Sequence, residues 1–152
     1  MHVPGESMQL RAEVEIDAPC DEVWQVLTDF QRYPEWNPFI ATVAGQLRPG
    51  AKLEVTLLLP GGRERVQRPT LVVFEPPLEL RWHARLMFGL LLGWEHFFKL
   101  SPSEGGRTRL AQGRNYRGLL VKYLGPEFTA MARGFAGMNQ ALKRRVEQRR
   151  RA

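Results

Sequence analysis

Cysteine is scarce in this sequence, which excludes disulfides and thiolate metal sites as sources of stability. Cys20 is the only cysteine among the 152 residues, so no disulfide can form within the chain and no cysteine-based metal site can be assembled. The histidines, His2, His83 and His96, are dispersed and lack the spacing of metal ligands. We therefore expect a protein of a reducing compartment that binds no metal.

The sequence also lacks a long hydrophobic run. Its longest, from Leu86 to Trp94, contains glycines and is far too short to cross a bilayer. The stretch from Met1 to Ser7 does not combine a basic start with an apolar segment, as a secretory leader would. We expect a soluble, cytoplasmic protein without stable membrane insertion.

Two glycine-based motifs are missing as well. The pairs Gly61-Gly62 and Gly105-Gly106 are predicted to lie in hairpin turns with no helix behind them, so neither forms a phosphate-binding loop. No Gly-x-Ser-x-Gly nucleophile elbow occurs. These absences count against nucleotide cofactors and serine-hydrolase chemistry, and we expect no cofactor.

Positive charge is present in excess and is concentrated at one end. The chain has 22 Lys and Arg against 16 Asp and Glu, a net charge of +6. Six basic residues lie in the final ten, namely Lys143, Arg144, Arg145, Arg149, Arg150 and Arg151. The simpler interpretation is a solvated helix end, because cations there interact favourably with exposed carbonyls. The alternative is a module that binds a protein or an anionic membrane through this end; no nucleic-acid partner is expected.

The first third of the chain is predicted to form a strand and two short helices. Apolar and polar residues alternate from Met8 to Ile16, which is typical of a half-buried strand. Pro19 and two acids then favour the start of a helix that extends to about Thr28. The two prolines between Tyr33 and Pro38 limit the next segment to a short helix or turn.

The rest of the chain predicts a sheet closed by one long helix. Six further strands are separated by turn residues: Phe39–Val43, Lys52–Leu59, Glu64–Phe74, Leu78–Met87, Trp94–Leu100 and Thr108–Tyr116. A helix from about Pro126 to Arg149 carries an apolar residue at every third or fourth position. We predict a single α+β domain over residues 1–152, in which a seven-stranded curved antiparallel sheet grips this helix around an apolar cavity.

Short stretches along nearly the whole chain are similar to a known family. They are Ile16-Asp17-Ala18-Pro19 with Val23-Trp24, Tyr33-Pro34-Glu35-Trp36-Asn37-Pro38-Phe39, Arg68-Pro69, Leu80-Arg81-Trp82, Glu95-His96-Phe97-Phe98, Thr108-Arg109-Leu110 with Tyr116-Arg117-Gly118, and Met138-Asn139-Gln140-Ala141-Leu142. In this order they resemble the SRPBCC superfamily, also called START-like or helix-grip, and within it bacterial polyketide cyclase/dehydrase and lipid-transport-like proteins. The resemblance implies a helix-grip fold with an internal apolar pocket. It selects no activity, because the superfamily includes lipid carriers, aromatase/cyclases, quinone-binding chaperones and hormone receptors.

His96 is the first candidate for chemistry inside the predicted pocket. Alternation places it on one face of its strand with Trp94, Phe98 and Leu100. If that face is concave, His96 points into the pocket, where a neutral imidazole can donate a hydrogen bond or act as an acid or base. The alternative is a histidine whose hydrogen bonds are made by local protein partners.

Arg114 is the second candidate, on the strand that also carries Gln112 and Tyr116. These three share a face with Leu110, which suggests the inward side. A buried guanidinium needs an anionic partner, either a protein carboxylate or the acid group of a ligand. The alternative is a strand end from which Arg114 extends out to water. The resemblance implies an acid at this position more often than an arginine.

Large apolar side chains complete the candidate site. We expect Trp24 and Phe30 to be ordinary core residues. Residues on segments that the grip architecture turns toward the cavity are candidates for its lining, or for plain packing: Trp36, Trp82, Trp94, Phe98, Phe128, Met131, Phe135 and Met138.

Few polar groups converge on this apolar interior, which favours a non-catalytic carrier or sensor of a small hydrophobic molecule such as a lipid, quinone or polyketide. The rival hypothesis is an aromatase/cyclase-like enzyme in which His96 and Tyr116 direct proton transfer on a poly-keto chain. The sequence leaves the oligomeric state open.

Overall fold

The computed structural model describes residues 6–86 and 90–152. His2, the predicted strand end at Met87 and the start of the turn that follows it lie outside these ranges. The described strands are β1 Glu6–Ile16, β2 Ile40–Ala44, β3 Glu54–Leu59, β4 Arg63–Gln67, β5 Thr70–Glu75, β6 Glu79–Leu86, β7 Leu92–Ser103 and β8 Arg107–Gly118. The helices are α1 Cys20–Thr28, α2 Tyr33–Trp36 and α3 Gly125–Arg151, with short 3-10 turns between elements.

The strands form two antiparallel sheets. The larger sheet has five strands in the order β1-β8-β7-β6-β5, and the smaller has the order β2-β3-β4. The first strand therefore pairs with the last, so that Met8 lies opposite Tyr116 and Ile16 opposite Thr108. The tight turn between β7 and β8 depends on Gly105 and Gly106, whose φ values of 72° and 75° are strained for other residues. An α+β fold with a curved antiparallel sheet and a long C-terminal helix is thus confirmed.

The predicted number of strands was wrong. The single strand expected over Glu64–Phe74 is two strands, β4 and β5, which belong to different sheets, so the described residues form eight strands. The break falls at Arg68-Pro69, because Pro69 has no N–H to donate to a ladder and restricts the residue before it. The Pro69 carbonyl instead accepts a hydrogen bond from the Leu53 N–H at 2.9 Å, which ties the crossing point to the chain before β3.

The two short helices follow the predicted pattern. Helix α1 begins directly after Pro19, as predicted, and buries Val23, Trp24, Val26 and Leu27. Helix α2 has only four residues and ends at Asn37. The Asn37 Oδ1 accepts hydrogen bonds from the backbone N–H groups of Phe39 (3.0 Å) and Ile40 (2.8 Å), which directs the chain from the helix into β2.

Helix α3 covers the five-stranded sheet. Its predicted stripe is buried at Met131, Phe135, Met138, Leu142 and Val146. A β-carbon added at Gly134 would lie 2.3 Å from the Phe39 ring, so glycine at this position is what allows the helix to pack closely against Phe39, just before β2. No helix within residues 6–86 and 90–152 is long and apolar enough to cross a membrane.

Basic side chains at the end of α3 form ion pairs and a hydrogen bond with other elements. Arg145 pairs with Glu35 of α2 at 2.6 Å, and Arg150 pairs with Glu22 of α1 at 3.2 Å. Lys143 donates to the Glu15 carbonyl of β1 at 2.9 Å. Part of the charge excess therefore has a structural use, beyond its favourable interaction with the helix carbonyls.

Candidate functional site

Residues of β6, β7 and β8 form three cross-strand rows on the face of the sheet that α3 covers. The central row contains Trp82, His96 and Arg114, since Trp82 pairs with His96 and His96 with Arg114. One flanking row contains Leu80, Phe98 and Gln112, and the other contains Ala84, Trp94 and Tyr116. The His96 side chain is 0% exposed, and its ring meets the Phe135 ring of α3 edge-on at 5.2 Å. The His96 side chain therefore points toward α3.

A chain of hydrogen bonds links the polar residues of these rows. Arg114 Nε donates to His96 Nδ1 at 3.0 Å, and His96 Nε2 lies 2.9 Å from Gln112 Oε1. Gln112 Nε2 donates to Asn139 Oδ1 at 2.8 Å, and Asn139 Nδ2 donates to the Ala12 carbonyl at 3.1 Å. Because arginine can only donate, His96 Nδ1 must accept and His96 Nε2 must carry the proton.

His96 is held in its neutral form by this environment. Burial lowers its pKa well below the usual value, the Arg114 charge lowers it further, and the hydrogen bond with Gln112 opposes the shift. Both ring nitrogens are occupied by protein partners, as in the alternative of a histidine satisfied locally. The ring therefore has no free lone pair with which to accept a proton from a substrate.

Arg114 is fully buried, so the alternative in which it extends to water was wrong. The side chain is 1% exposed, because position 114 lies in the middle of the β7–β8 pairing rather than at a fraying end. Its Nη2 donates to Gln67 Oε1 at 2.8 Å, and its guanidinium lies 3.8 Å from the centre of the Trp94 ring. Burial lowers the pKa of Arg114, and the nearby Tyr116 and Glu127 oppose that shift. A guanidinium nonetheless stays protonated at neutral pH.

Three polar atoms in these rows lack a hydrogen-bond partner among the described residues. They are Trp82 Nε1, Arg114 Nη1 and Tyr116 Oη. Tyr116 is 2% exposed, and its ring packs on Phe128 at 5.0 Å. Burial raises the pKa of Tyr116, and the Arg114 charge opposes that rise. The Tyr116 and Arg114 side chains are close enough to interact, but no hydrogen bond of ordinary geometry joins them. The site thus has more donors than acceptors.

The structure brings all but one of the predicted lining residues together. Trp82, Phe98, Met131, Phe135 and Met138 are fully buried between the sheet and α3, and Trp94 and Phe128 are partly buried beside them. Trp36 lies apart from this group. Its ring contacts Tyr33 at 5.2 Å, and it borders an outer groove with Val26 and Arg145. The apolar cavity expected between sheet and helix stays a prediction.

Two residues of the site were not identified from the sequence. Asn139 is a polar residue on the buried stripe of α3, four residues after Phe135 and three before Leu142, and that position alone could have revealed it. Gln67 ends β4, in the smaller sheet. Its contact with Arg114 depends on how the two sheets meet, and no local pattern predicts it.

No group of three His, Cys, Asp or Glu side chains in the described part of the chain could hold a metal ion. Glu127, the acid whose charge acts on Arg114, is paired with Arg65 at 2.7 Å. No carboxylate of the described residues forms an ion pair with Arg114.

Solved structures with the same fold are numerous and distant in sequence. An aromatase/cyclase, Zhui from Streptomyces sp. R1128, aligns with a TM-score of 0.78 and 15% identity over 97% of this chain and 98% of its own. A protein from Nitrosomonas europaea aligns with a TM-score of 0.71 and 18% identity over 95% and 97% of the two chains. Truncated norcoclaurine synthase from Thalictrum flavum gives 0.71 and 15% over 96% and 97%.

No curated protein sequence matches the chain. A family model, described as polyketide cyclase / dehydrase and lipid transport, matches residues 7–149, which is nearly the whole sequence. The match runs from β1 into the last turn of α3 and includes every residue of the three rows. The chain therefore belongs to the polyketide cyclase/dehydrase and lipid-transport family, within the SRPBCC or helix-grip superfamily.

Proposed function

We propose that this protein is a non-catalytic carrier or sensor of a small hydrophobic molecule, bound between α3 and the five-stranded sheet. One observation carries the proposal. The inner face is aromatic and apolar, and the polar groups that could act as bases are already hydrogen-bonded to one another in the chain from Arg114 to Asn139.

Proton-transfer catalysis needs a group that can accept a proton from the substrate and later return it. His96 has no free nitrogen, and its depressed pKa makes it a weak base. Gln112 and Asn139 are amides that do not titrate. Tyr116 keeps its proton because burial raises its pKa. These groups suit recognition of a bound molecule better than turnover of one.

Uptake of a hydrophobic dye by the purified protein tests the proposal. Nile red should bind with increased fluorescence, and Met131→Trp should abolish the increase, because Met131 is fully buried on the face of α3 toward the sheet. Ala132→Trp is the matched control, since the next residue of the helix is exposed and should leave binding intact. Failure of the wild-type protein to take up Nile red, or equal loss in both variants, would count against an interior binding site.

An aromatase/cyclase-like enzyme is the second candidate, favoured by the family description and by the shared fold of an aromatase/cyclase. In that case His96 and Tyr116 would direct proton transfer at an enolisable carbon of the poly-keto chain, with one group accepting the α-proton and the other donating a proton to the developing enolate oxygen. A linear poly-keto thioester is the substrate to offer. Turnover with a pH-rate profile that disappears in His96→Ala would favour the enzyme. The carrier proposal expects no turnover above the uncatalysed rate.

A further inference from the structure

Arg114 carries a buried positive charge that has no direct ionic partner in the described part of the chain. At 1% exposure its guanidinium has lost nearly all of its hydration, and no carboxylate of the described residues pairs with it. The acid that acts on it, Glu127, is already shared with Arg65 at 2.7 Å. A buried cation without an anion is costly, so proteins keep one chiefly where something else supplies the negative charge.

The guanidinium is held by protein groups on three sides, and one of its nitrogens is left without a hydrogen-bond partner. His96 holds Nε, Gln67 holds Nη2, and the Trp94 ring lies 3.8 Å away against the flat face. Only Nη1 has no partner among the described residues. A group that is oriented in advance loses little freedom on binding, so this free donor is arranged for a ligand.

A second free donor lies beside the first. Tyr116 is two residues further along β8 and therefore on the same face, next to Trp94 in the cross-strand row. Its hydroxyl is buried and lies close enough to Arg114 for the two side chains to interact, but no hydrogen bond of ordinary geometry satisfies it in the described structure. Two convergent donors, one of them cationic, match the two oxygens of a carboxylate.

We propose that the ligand is an organic acid, with its apolar body between α3 and the sheet and its carboxylate bound by Arg114 Nη1 and Tyr116 Oη. This inference rests on the proposed carrier function and narrows its ligand class. The other charges nearby are compatible with it, because His96 is neutral and Glu127 is paired with Arg65. The carboxylate would complete the ion pair that Arg114 lacks.

Titration calorimetry with matched acids and esters tests the inference. Decanoic acid and 2-naphthoic acid are each compared with their methyl esters, which keep the apolar body and lose the charge. We expect at least one acid to bind about ten- to a hundredfold more tightly than its ester, because hydrogen bonds to a charged group are strong. Tyr116→Phe should weaken the acid about tenfold and leave the ester unchanged.

Arg114→Met should remove the preference for the acid altogether. Arg117→Met is the matched control, since Arg117 is an exposed cation on the opposite face of β8, and it should retain the preference. If Arg114→Met fails to fold, Tyr116→Phe decides the question, because it removes only a hydroxyl that forms no hydrogen bond of ordinary geometry with a described residue. Equal affinity for acids and esters would overturn the carboxylate site and leave the carrier function standing. Failure of all four compounds to bind would overturn both.

Discussion

The Tyr116 hydroxyl is buried without a hydrogen-bond partner among the described residues. In the ligand-free protein this hydroxyl should therefore lower stability, although it is proposed to bind the ligand. Burial of an unsatisfied hydroxyl costs about 1–3 kcal/mol. Tyr116→Phe should therefore raise the free energy of unfolding of the ligand-free protein by about 1 kcal/mol. Denaturant unfolding of the wild-type protein and the variant measures this difference in free energy. A loss of stability of similar size would mean that the hydroxyl has a protein partner.

His96 should make the protein less stable as the pH falls. Its folded-state pKa is depressed by burial and by Arg114, so the unfolded chain binds more protons below the unfolded pKa near 6.5. Stability is then lost as the pH falls below that value, by up to about 2 kcal/mol between pH 7 and pH 5. His96→Asn should remove this part of the pH dependence.

Other titratable groups also make stability depend on pH, and they determine which control variant is needed. His83 also has a lowered pKa, chiefly from burial, and contributes with the same sign, so His83→Asn should retain most of the dependence. Three carboxylates also have lowered pKa values, namely Glu15, Glu35 and Glu147. Their contribution to the free energy of unfolding is lost only near and below their usual pKa of 4.5, and therefore outside the range from pH 7 to pH 5. Equal loss of stability in His96→Asn and in the wild-type protein between pH 7 and pH 5 would contradict the role of His96 in this pH dependence.

The alternation of β7 and β8 was enough to predict which residues face inward, because a strand places every second side chain on the same face. It could not predict their partners. The partners of His96 depend on the register of β7 against β8 and on the height of α3 above them. Arg114 shows the same limit: the sequence permitted both a buried and a solvated guanidinium, and only the tertiary packing around Gln67 and Trp94 decides between them.

At the scale of elements, the two glycines in the middle of α3 have opposite expected effects. A β-carbon at Gly134 would meet the Phe39 ring at 2.3 Å, whereas at Gly137 the nearest atom is 3.8 Å away, in Pro38. Gly134→Ala should lower stability by about 1–2 kcal/mol through overpacking, in spite of its better helix propensity. Gly137→Ala should raise stability by about 0.5–1 kcal/mol.

Thermal or denaturant unfolding of the two alanine variants compares them directly. They share the same helix, the same chemical change and nearly the same position, so the difference isolates the contact with Phe39. Equal gains in stability would contradict the close packing of α3 against the Phe39 ring.

Elements were predictable where local chemistry decides them. The periodicity of α3 and the prolines around α2 each correspond to the observed helix. Pro69 marked the break in the sequence, but the prediction continued a single strand through it. Which sheet each strand joins depends on contacts such as that between Leu53 and Pro69, far apart in the sequence.

At the scale of the whole molecule, a five-stranded sheet, a smaller three-stranded sheet and one long helix enclose an interior that is mainly apolar and contains the polar network from Arg114 to Asn139. The sequence predicted this enclosure because one helix was available to cover one apolar sheet face. The free space inside was not predictable in the same way, since it depends on how far side chains such as Phe135 and Met138 fill the gap.

The mass of the folded protein shows whether it carries a bound small molecule. Protein purified under mild conditions is measured by native mass spectrometry and again after denaturation. The account predicts a native mass that exceeds the chain mass by that of one small organic molecule, which solvent extraction recovers. Equal masses before and after denaturation, together with no uptake of any hydrophobic compound offered, would contradict it.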